Sequence, residues 1–354
     1  MTRRELLLLS GAARLMGQAT VSPDPQNVSY PLAGVEGSIT PPELFFVRDH
    51  FREPELSLST WRLTVEGRVS NPLEYTFADI LESPSKQIEA VLECAGNPTI
   101  GSAASNGVWE GIPLAALLEE AKAGHDAAAV MLEGADSGRL SQDLPSLPYG
   151  QIVPFEKCAR PESLVAFKLN NRFLARGNGF PVRALFPGWY GMDAVKWLKR
   201  IVVLGPSDQA PNFQLSGMNR LYNRMVKTGS GDLQITRVTE MQVRSAIAWP
   251  SDNARLLAGR YAVRGFAWTG TGVVRGVNFS ADGGRRWAPA KLESVPKAFT
   301  WVRWTYTWEA EPGDHVLMSR AVDDRGSQQP LARDRSRQDG YELNFCAPVR
   351  CSVR

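Results

Sequence analysis

Short strand-like runs rich in apolar residues recur along the first part of the chain, and in Trp61–Gly67 apolar and polar residues alternate. The runs cover Trp61–Gly67, Ile88–Leu92 and Ala128–Glu133, and the same texture returns at Leu164–Asn170 and Arg200–Leu204. A period of two places every second side chain on one face, which is typical of strands that pack against a core. We therefore predict a strand in each of these five runs.

Two segments between these strands have helical spacing instead. Thr76–Leu81 begins with a residue suited to cap a helix, and Asp79 stands three positions later, where a capping box needs it. In Pro113–Ala123, apolar side chains follow the i, i+3, i+4 spacing of one helix face, at Leu114, Leu117 and Leu118. Strands and helices mixed without βαβ regularity predict an α+β domain rather than a doubly wound one.

From residue 233 onward, short strand-like runs alternate with turns and helical spacing is absent. The turn signals are Gly259, Gly270–Gly272, Asp282–Gly284 and Pro312–Asp314. Many short strands with turn chemistry between them predict an antiparallel sandwich of the immunoglobulin type. A polar stretch around Thr228–Gly231 separates the region of mixed strands and helices from the region of short strands and turns. We therefore predict one domain over residues 21–230 and a second over 231–354.

Composition limits the classes of function. The chain has 354 residues and a formal net charge of +3, which gives no support for binding to nucleic acid or to a membrane surface. No apolar run approaches the roughly 20 residues that a membrane span needs. The sequence lacks GxGxxG and P-loop patterns, so nucleotide cofactors are disfavoured.

Cysteines and histidines are few. Four cysteines do not make a disulfide scaffold, and three histidines give little support for zinc sites or histidine-based triads. Cys346 and Cys351 flank a short segment, and from the sequence alone they are either linked across a tight turn or unlinked on one strand.

The first 20 residues have the character of an export signal. Arg3 and Arg4 precede Leu6–Leu9, and small residues follow. The arginine pair directly before the leucines resembles a twin-arginine signal, which predicts a periplasmic or otherwise exported protein. The alternative is an amphipathic N-terminal helix of a cytoplasmic protein.

One cysteine stands out as a candidate reactive group. Cys94 ends an apolar, strand-like run and is followed by Ala95, Gly96 and Asn97, small residues that permit a sharp turn or a close approach to a ligand. A thiolate presented in this way is a soft-metal ligand or a nucleophile. The alternative that these residues leave open is a buried structural cysteine.

Two other regions carry cations on loops. Arg48 and His50 follow an aromatic pair, which is compatible with an anion-binding corner or with a surface turn. Arg183 and Lys196 lie in a region rich in glycine and proline, where two cations on loops suit a phosphate or another anion. Taken singly, each is more often a solvated surface charge.

Four motifs in order resemble the molybdenum-cofactor domain of the sulfite oxidase family. They are Phe46–His50, Cys94–Asn97, Gly179–Arg183 and Pro187–Gly191 continuing through Val195–Leu198. The second half resembles the family's immunoglobulin-like dimerisation domain, at Val263–Gly270, Ser280–Gly284, Trp301, Trp304 and Arg320–Asp323. The resemblance covers nearly the whole chain after about residue 35.

The resemblance implies a role for each matching residue. Cys94 would bind molybdenum beside the dithiolene of a pyranopterin (molybdopterin). Arg183 and Lys196 would hold the phosphate of the cofactor, and Asn178 stands where the family usually has histidine. The cofactor-binding set that the resemblance implies is Phe46, Val47, Arg48, Asp49, His50, Cys94, Asp136, Asn178, Arg183, Ala194, Val195 and Lys196.

The departures from the family pattern concern the substrate. Members that oxidise sulfite have two arginines where this chain has Pro98 and Thr99, and a tyrosine where it has Phe167. A lost arginine should cost about 1.5–3 kcal/mol for each charged hydrogen bond to a sulfite dianion. Arg48 remains, and we predict that Tyr190 supplies a hydroxyl, so the predicted catalytic residues are Cys94, Arg48 and Tyr190.

The resemblance therefore implies oxygen-atom transfer on a small oxyanion or an S- or N-oxide, with sulfite as one candidate substrate. No haem or flavin segment is visible, so electrons would pass to a separate carrier such as a c-type cytochrome, and the second domain would form a homodimer. One alternative is a reductase of S-oxides, N-oxides or nitrate on the same cofactor. The other is an exported, non-catalytic β-sandwich binding protein.

Overall fold

The computed structural model describes residues 20–23, 25–208 and 217–354. The predicted export signal over residues 1–20 lies outside this part of the chain, apart from its last residue. Among the described residues, no helix is long and apolar enough to cross a membrane.

Strands dominate the architecture. The strands are β1 (Thr20–Pro23), β2 (Gln26–Ser29), β3 (Val47–Arg48), β4 (Leu63–Gly67), β5 (Leu73–Tyr75), β6 (Lys86–Glu93), β7 (Ala104–Pro113), β8 (Ala129–Gly138), β9 (Leu147–Pro154), β10 (Leu164–Leu169), β11 (Arg172–Phe173), β12 (Arg183–Leu185), β13 (Leu198–Leu204), β14 (Asn223–Lys227), β15 (Leu233–Arg237), β16 (Arg244–Trp249), β17 (Ala254–Leu256), β18 (Gly259–Trp268), β19 (Val274–Ser280), β20 (Ala288–Pro289), β21 (Lys291–Leu292), β22 (Val302–Ala310), β23 (Gly313–Asp323) and β24 (Val349–Val353). The α-helices are α1 (Phe77–Glu82), α2 (Leu114–Glu120) and α3 (Phe155–Cys158). Short 3-10 turns occur at Leu32–Gly34, Pro42–Leu44, Arg176–Asn178, Pro206–Asp208 and Gly217–Leu221.

The first domain has two five-stranded sheets with helices against them. One runs β5-β4-β13-β8-β9, in which only β13 and β4 are parallel. The other runs β11-β10-β7-β6, with β12 paired to β10. Helix α1 begins with the capping box predicted from Thr76 and Asp79, and α2 buries the three leucines of its apolar face. The α+β prediction is confirmed.

The second domain is a β-sandwich. A four-stranded sheet, β16-β18-β22-β21, faces a five-stranded sheet, β17-β24-β23-β19-β20. Apolar residues of both sheets form its core, with Trp304 and Leu317 fully buried. Cys346 and Cys351 are both buried, free thiols, but they do not share a strand, because only Cys351 lies in β24.

The polar stretch Thr228–Gly231 has a defined structure. It forms the turn between β14 and β15, which pair with each other as a two-stranded antiparallel hairpin. The domain bounds at residue 230 stay a prediction, because the hairpin lies between the two larger bodies.

A separate apolar cluster joins the two domains. It contains Val91 and Ala95 next to Cys94, and it contains Phe266, Trp268 and Trp301 of the second domain. The segment that carries Cys94 is therefore packed directly against the sandwich.

Candidate active site

A cavity of about 230 Å³ brings the predicted motifs together. Its walls come from four segments, around residues 46–50, 92–96, 177–183 and 191–197, and from the single residues Asp136, Tyr149, Tyr222 and Tyr341. Since these segments are up to about 300 residues apart, only the folded chain creates this site.

Cys94 occupies one wall of the cavity at the end of β6. Its N–H donates to the carbonyl of Ala103 (3.0 Å), and its own carbonyl accepts from the N–H of Asn97 (2.8 Å), which fixes a tight turn. Burial raises the pKa of the thiol, against the opposing effect of the Gly96 N–H and the Arg48 guanidinium. A bound metal would displace the proton and supply the positive charge that the thiolate lacks here.

Arg48 lies beside Cys94 and is exposed to the cavity mouth. Its guanidinium donates to the carbonyl of Asp49 (3.1 Å) and to the side chain of Asn27. These bonds hold the charge in place and leave other N–H groups of the guanidinium to meet a ligand. The arrangement suits an anion next to the Cys94 sulfur.

His50 forms part of an aromatic wall. Its ring packs against Phe51 (5.0 Å between ring centroids), and its Nδ1 lies 3.4 Å from the hydroxyl of Tyr222. Burial, and secondarily Arg48, lowers the pKa of His50, so its imidazole is neutral at physiological pH.

Two buried cations lie in another part of the same cavity. Arg183 donates to the carbonyls of Asn178 (3.1 Å) and Ala194 (2.8 Å), and its Nε has no partner in the part of the chain that the structure describes. Lys196 donates to the carbonyl of Gly177 (2.9 Å) and forms an ion pair with Asp49. Burial lowers the pKa of Arg183 to about 10 and that of Lys196 to about 8.

Two buried carboxylates face these cations with acceptor atoms to spare. Among the described residues, Asp49 Oδ2 and Asp136 Oδ1 have no hydrogen-bond partner. Burial raises the pKa of Asp136 to about 7, although Lys196 opposes the shift. Unsatisfied buried polar atoms are uncommon, and these two oxygens, together with Arg183 Nε, belong to residues that line the same cavity.

This donor set fits a pyranopterin cofactor. The cations match a phosphate, the unpaired carboxylate oxygens match amino groups of a pterin, and the Cys94 sulfur matches a soft metal. Among the described residues, no cluster of three or more His, Cys, Asp or Glu side chains is present that would hold a metal by protein ligands alone.

Most of the predicted site residues converge on the cavity. The lining includes Phe46, Val47, Arg48, Asp49, His50, Cys94, Asp136, Arg183, Ala194 and Lys196. Asn178 and Val195 are buried behind this wall; Asn178 contributes its carbonyl to Arg183, and Val195 packs in the core of the first domain. Phe167 also belongs to that core and does not reach the cavity.

The prediction for Tyr190 requires a correction. Tyr190 is buried in the cluster between the domains and does not line the cavity. Its hydroxyl accepts a hydrogen bond from the backbone N–H of Gln242 (3.3 Å). The hydroxyl is therefore engaged with the second domain and is not directed at Cys94.

Three other tyrosines line the cavity and have no counterpart in the sequence prediction. They are Tyr149, Tyr222 and Tyr341. Tyr222 and Tyr341 stack at a tilt, with 5.5 Å between ring centroids, and the hydroxyl of Tyr149 donates to the carbonyl of Met192 (2.8 Å). Neither the spacing nor the neighbours of these residues single them out in the sequence.

Comparisons with known proteins agree with this geometry. Residues 50–212 match the family described as the oxidoreductase molybdopterin binding domain, and residues 236–337 match the Mo-co oxidoreductase dimerisation domain. Chicken (Gallus gallus) sulfite oxidase is 32% identical over 326 residues, which cover 83% of this chain and 69% of that protein. The NADH nitrate reductase of Solanum lycopersicum is 31% identical over 356 residues, covering 86% of this chain and 38% of that protein.

A solved structure has the same fold over nearly the whole chain. The sulfane dehydrogenase SoxCD of Paracoccus pantotrophus superposes with a TM-score of 0.81 at 29% identity, covering 93% of this chain and 85% of that one. The match to human sulfite oxidase covers 58% of its length. The matched domains, the sequence identity and the cavity agree, and the chain belongs to the sulfite oxidase family as a molybdopterin-dependent oxidoreductase.

Proposed function

We propose that this enzyme transfers an oxygen atom to or from a small sulfur or nitrogen compound at a molybdenum bound by Cys94. The observation that carries the proposal is that Cys94 and Arg48 share one cavity with Arg183 and Lys196. Molybdenum in a pyranopterin dithiolene supplies oxygen-atom transfer and passes electrons onward when it is bound.

The residues of the chain divide the remaining work. Cys94 would hold the metal, while Arg183 and Lys196 would hold the phosphate of the cofactor with charge-assisted hydrogen bonds. Arg48 would bind and orient an anionic group of the substrate beside the Cys94 sulfur. Tyr222 and Tyr341 would form an aromatic wall that limits water near the reacting atoms.

The cations of the cavity favour a substrate of low charge. Arg48 is the cation whose charge acts on Cys94, whereas Arg183 and Lys196 interact with Asp49. Pro98, in the place of a family arginine, is exposed and adds no charge. We propose a monoanionic or neutral sulfur compound as substrate, such as one bearing the sulfane sulfur named for SoxCD, in preference to the sulfite dianion.

A substrate comparison tests this proposal. The cofactor-loaded enzyme is assayed with ferricyanide as electron acceptor against sulfite, thiosulfate and an organic persulfide. We expect the highest kcat/KM for the organic persulfide, because it carries sulfane sulfur and has a lower charge than sulfite or thiosulfate. A preference for sulfite over the other two would overturn the proposed substrate class.

Reduction is the second candidate function, because nitrate reductases are among the relatives. A reduced viologen dye with nitrate or an S-oxide, run beside the ferricyanide assay, separates the two directions. Turnover only with the viologen would favour the reductase. The non-catalytic binding protein has lost support, since Cys94, Arg183 and Lys196 meet in one cavity.

We also propose export through the twin-arginine route and electron transfer to a separate carrier, with a c-type cytochrome as the candidate. Arg3 and Arg4 before the leucine run support the first proposal. Fractionation of cells that express the full chain, beside an Arg3→Lys/Arg4→Lys variant, tests it. Wild type in the periplasm with the variant retained in the cytoplasm is expected, and an identical distribution would contradict export by this route.

A further inference from the structure

The carboxylate of Glu93, directly before Cys94, is fully engaged inside the protein. Its Oε1 accepts from Arg244 Nη1 (2.7 Å) and from Asn97 Nδ2 (2.9 Å), and its Oε2 accepts from Trp268 Nε1 (2.7 Å). Only 1% of Glu93 and 2% of Arg244 are exposed. The ion pair is therefore shielded from solvent and salt.

Two of these three donors come from the second domain. Arg244 is the first residue of β16, and Trp268 is the last residue of β18. The two strands pair antiparallel, with Arg244 opposite Trp268. Their side chains cross to the end of β6 in the first domain. The sandwich thus bonds directly to the residue that precedes the metal-binding cysteine.

Hydrogen bonds also fix the residues that follow Cys94. The guanidinium of Arg244 also donates to the carbonyl of Pro98, and Asn97 Oδ1 accepts from the N–H of Ala103 (2.8 Å). One arginine therefore touches the Cys94 loop before and after the cysteine. The loop has little freedom to move its sulfur while Arg244 stays in place.

General stability does not require this arrangement. A well-packed apolar pair in place of a buried ion pair is often equally stable, so such a pair is weak support for a stabilising role. Groups just outside a metal's ligands, in contrast, orient those ligands and tune the metal. A buried carboxylate next to a thiolate also needs a compensating cation, and Arg244 supplies it.

We propose that Arg244 is a positioning residue for Cys94, which it holds through Glu93 and Pro98, with Trp268 as its partner. The second domain then does more than join two chains, because it completes the metal-binding loop of the first domain. This inference rests on the proposed function only in taking Cys94 as the molybdenum ligand.

Three variants test the role of Arg244. Arg244→Lys keeps the charge but cannot reach Glu93 and Pro98 together. The Glu93→Gln/Arg244→Met double variant removes the ion pair without leaving a buried charge unpaired, so it keeps the test usable where Arg244→Met alone fails to fold. Ser245→Ala is the matched control, because Ser245 is the next residue and is equally buried, and its hydroxyl donates to Ser319 of the second domain (2.8 Å).

The readouts are molybdenum content, the Mo(V) electron paramagnetic resonance spectrum, and kcat and KM of the loaded enzyme. In cofactor-free protein, the reaction rate of Cys94 with a thiol reagent is a further readout, since the other three cysteines are buried. We expect shifted g-values and a kcat lower by roughly 10–100-fold in both Arg244 variants, with KM little changed. The control should keep the wild-type spectrum and thiol rate even where its melting temperature falls.

Wild-type spectra, kcat and thiol reactivity in the double variant would overturn the positioning role. A shift of equal size in Ser245→Ala would overturn it too, because the effect would then follow general destabilisation. Wild-type protein without molybdenum would instead contradict the proposed function, and the thiol rates of the metal-free chain would still decide whether Arg244 holds Cys94 in place.

Discussion

At the scale of single residues, the chemistry depends on where the Cys94 sulfur lies. It meets Arg48 on one side of a cavity whose other walls carry Asp49 and Lys196. Burial raises the pKa of the free thiol, and a bound metal would replace its proton. The same cysteine in an apolar core would be inert.

Substitution of Arg48 by glutamine should weaken substrate binding while leaving the metal in place. The loss of one charged hydrogen bond costs about 1.5–3 kcal/mol, so kcat/KM for an anionic substrate should fall roughly 10–150-fold. Steady-state kinetics beside metal analysis make the measurement. The control is Arg139→Gln, because Arg139 is exposed and its guanidinium donates to the carbonyl of Gln142 (3.3 Å), away from the cavity. Equal kcat/KM in Arg48→Gln and wild type would exclude Arg48 from substrate binding.

Asp136 should make the stability of the cofactor-free protein depend on pH. Burial raises its pKa to about 7 from the ordinary value of 3.8, so the folded state holds a proton that the unfolded state releases. Its contribution is present at low pH and is lost as pH rises through about 7.

The Asp136→Asn variant removes that titration. We expect its melting temperature, relative to wild type, to rise between pH 5 and pH 8, because wild type alone acquires a buried charge over this interval. Thermal unfolding at both pH values measures the difference. A constant difference between the variant and wild type would show that Asp136 titrates normally.

The residues that meet at the cavity were predictable where a motif carried them and not elsewhere, and their roles stay a prediction. Cys94, Arg183 and Lys196 stand in recognisable runs, and the fold brings them together. Tyr341 lies about 250 residues from Cys94 in a segment without a motif, so only tertiary packing reveals it. Tyr190 was assigned wrongly because the sequence could not show that its hydroxyl bonds to Gln242.

At the scale of elements, apolar periodicity identified strands and helices well. The five predicted strands correspond to β4, β6, β8, β10 and β13, and the capping box at Thr76 starts α1. Pairing was not predictable, because partners such as β13 and β4 are more than 100 residues apart. The hairpin around Thr228–Gly231 resembled a linker, since its turn is polar and β15 has mostly exposed side chains.

Gly188 marks a point where the two domains cross closely. Its φ is +87°, and a Cβ there would lie 2.4 Å from the carbonyl oxygen of Gly270 in the second domain. Gly188→Ala should therefore combine backbone strain of about 1–3 kcal/mol with a steric clash.

Gly283→Ala is the matched control, because Gly283 also has a positive φ (+73°) but its nearest neighbour would be 3.8 Å away. Denaturant unfolding compares the two free energies of unfolding. We expect the larger decrease in the free energy of unfolding, and reduced cofactor loading, in Gly188→Ala. An equal decrease in the free energy of unfolding in the two variants would show that the contact between Gly188 and Gly270 adds no steric penalty.

At the scale of the whole molecule, the two domains share one buried cluster and the ion pair between Glu93 and Arg244. The cofactor cavity takes its walls from residues on both sides of the hairpin, including Tyr341 near the C-terminus. The two-domain organisation was predictable because the sequence pattern changes from mixed strands and helices to short strands and turns. The sequence did not reveal that the Cys94 loop is held by the second domain, because the side chains involved meet only after folding.

The match to the Mo-co oxidoreductase dimerisation domain predicts a homodimer in solution. Light scattering coupled to size exclusion should give twice the chain mass of 39.0 kDa. The exposed apolar side chains Leu257 and Val295 of this domain offer positions for a charged substitution that probes the interface. A mass of one chain at every concentration would contradict the homodimer.

X-ray absorption at the molybdenum edge tests most directly whether Cys94 binds the metal. The wild-type chain and Cys94→Ser are expressed in a host that makes the cofactor, and their sulfur ligands are compared. We predict stoichiometric molybdenum in the wild type, and in Cys94→Ser a folded protein that lacks one sulfur ligand and has lost turnover. Wild-type protein without molybdenum, or a Cys94→Ser variant with the same sulfur ligands and full activity, would contradict this account.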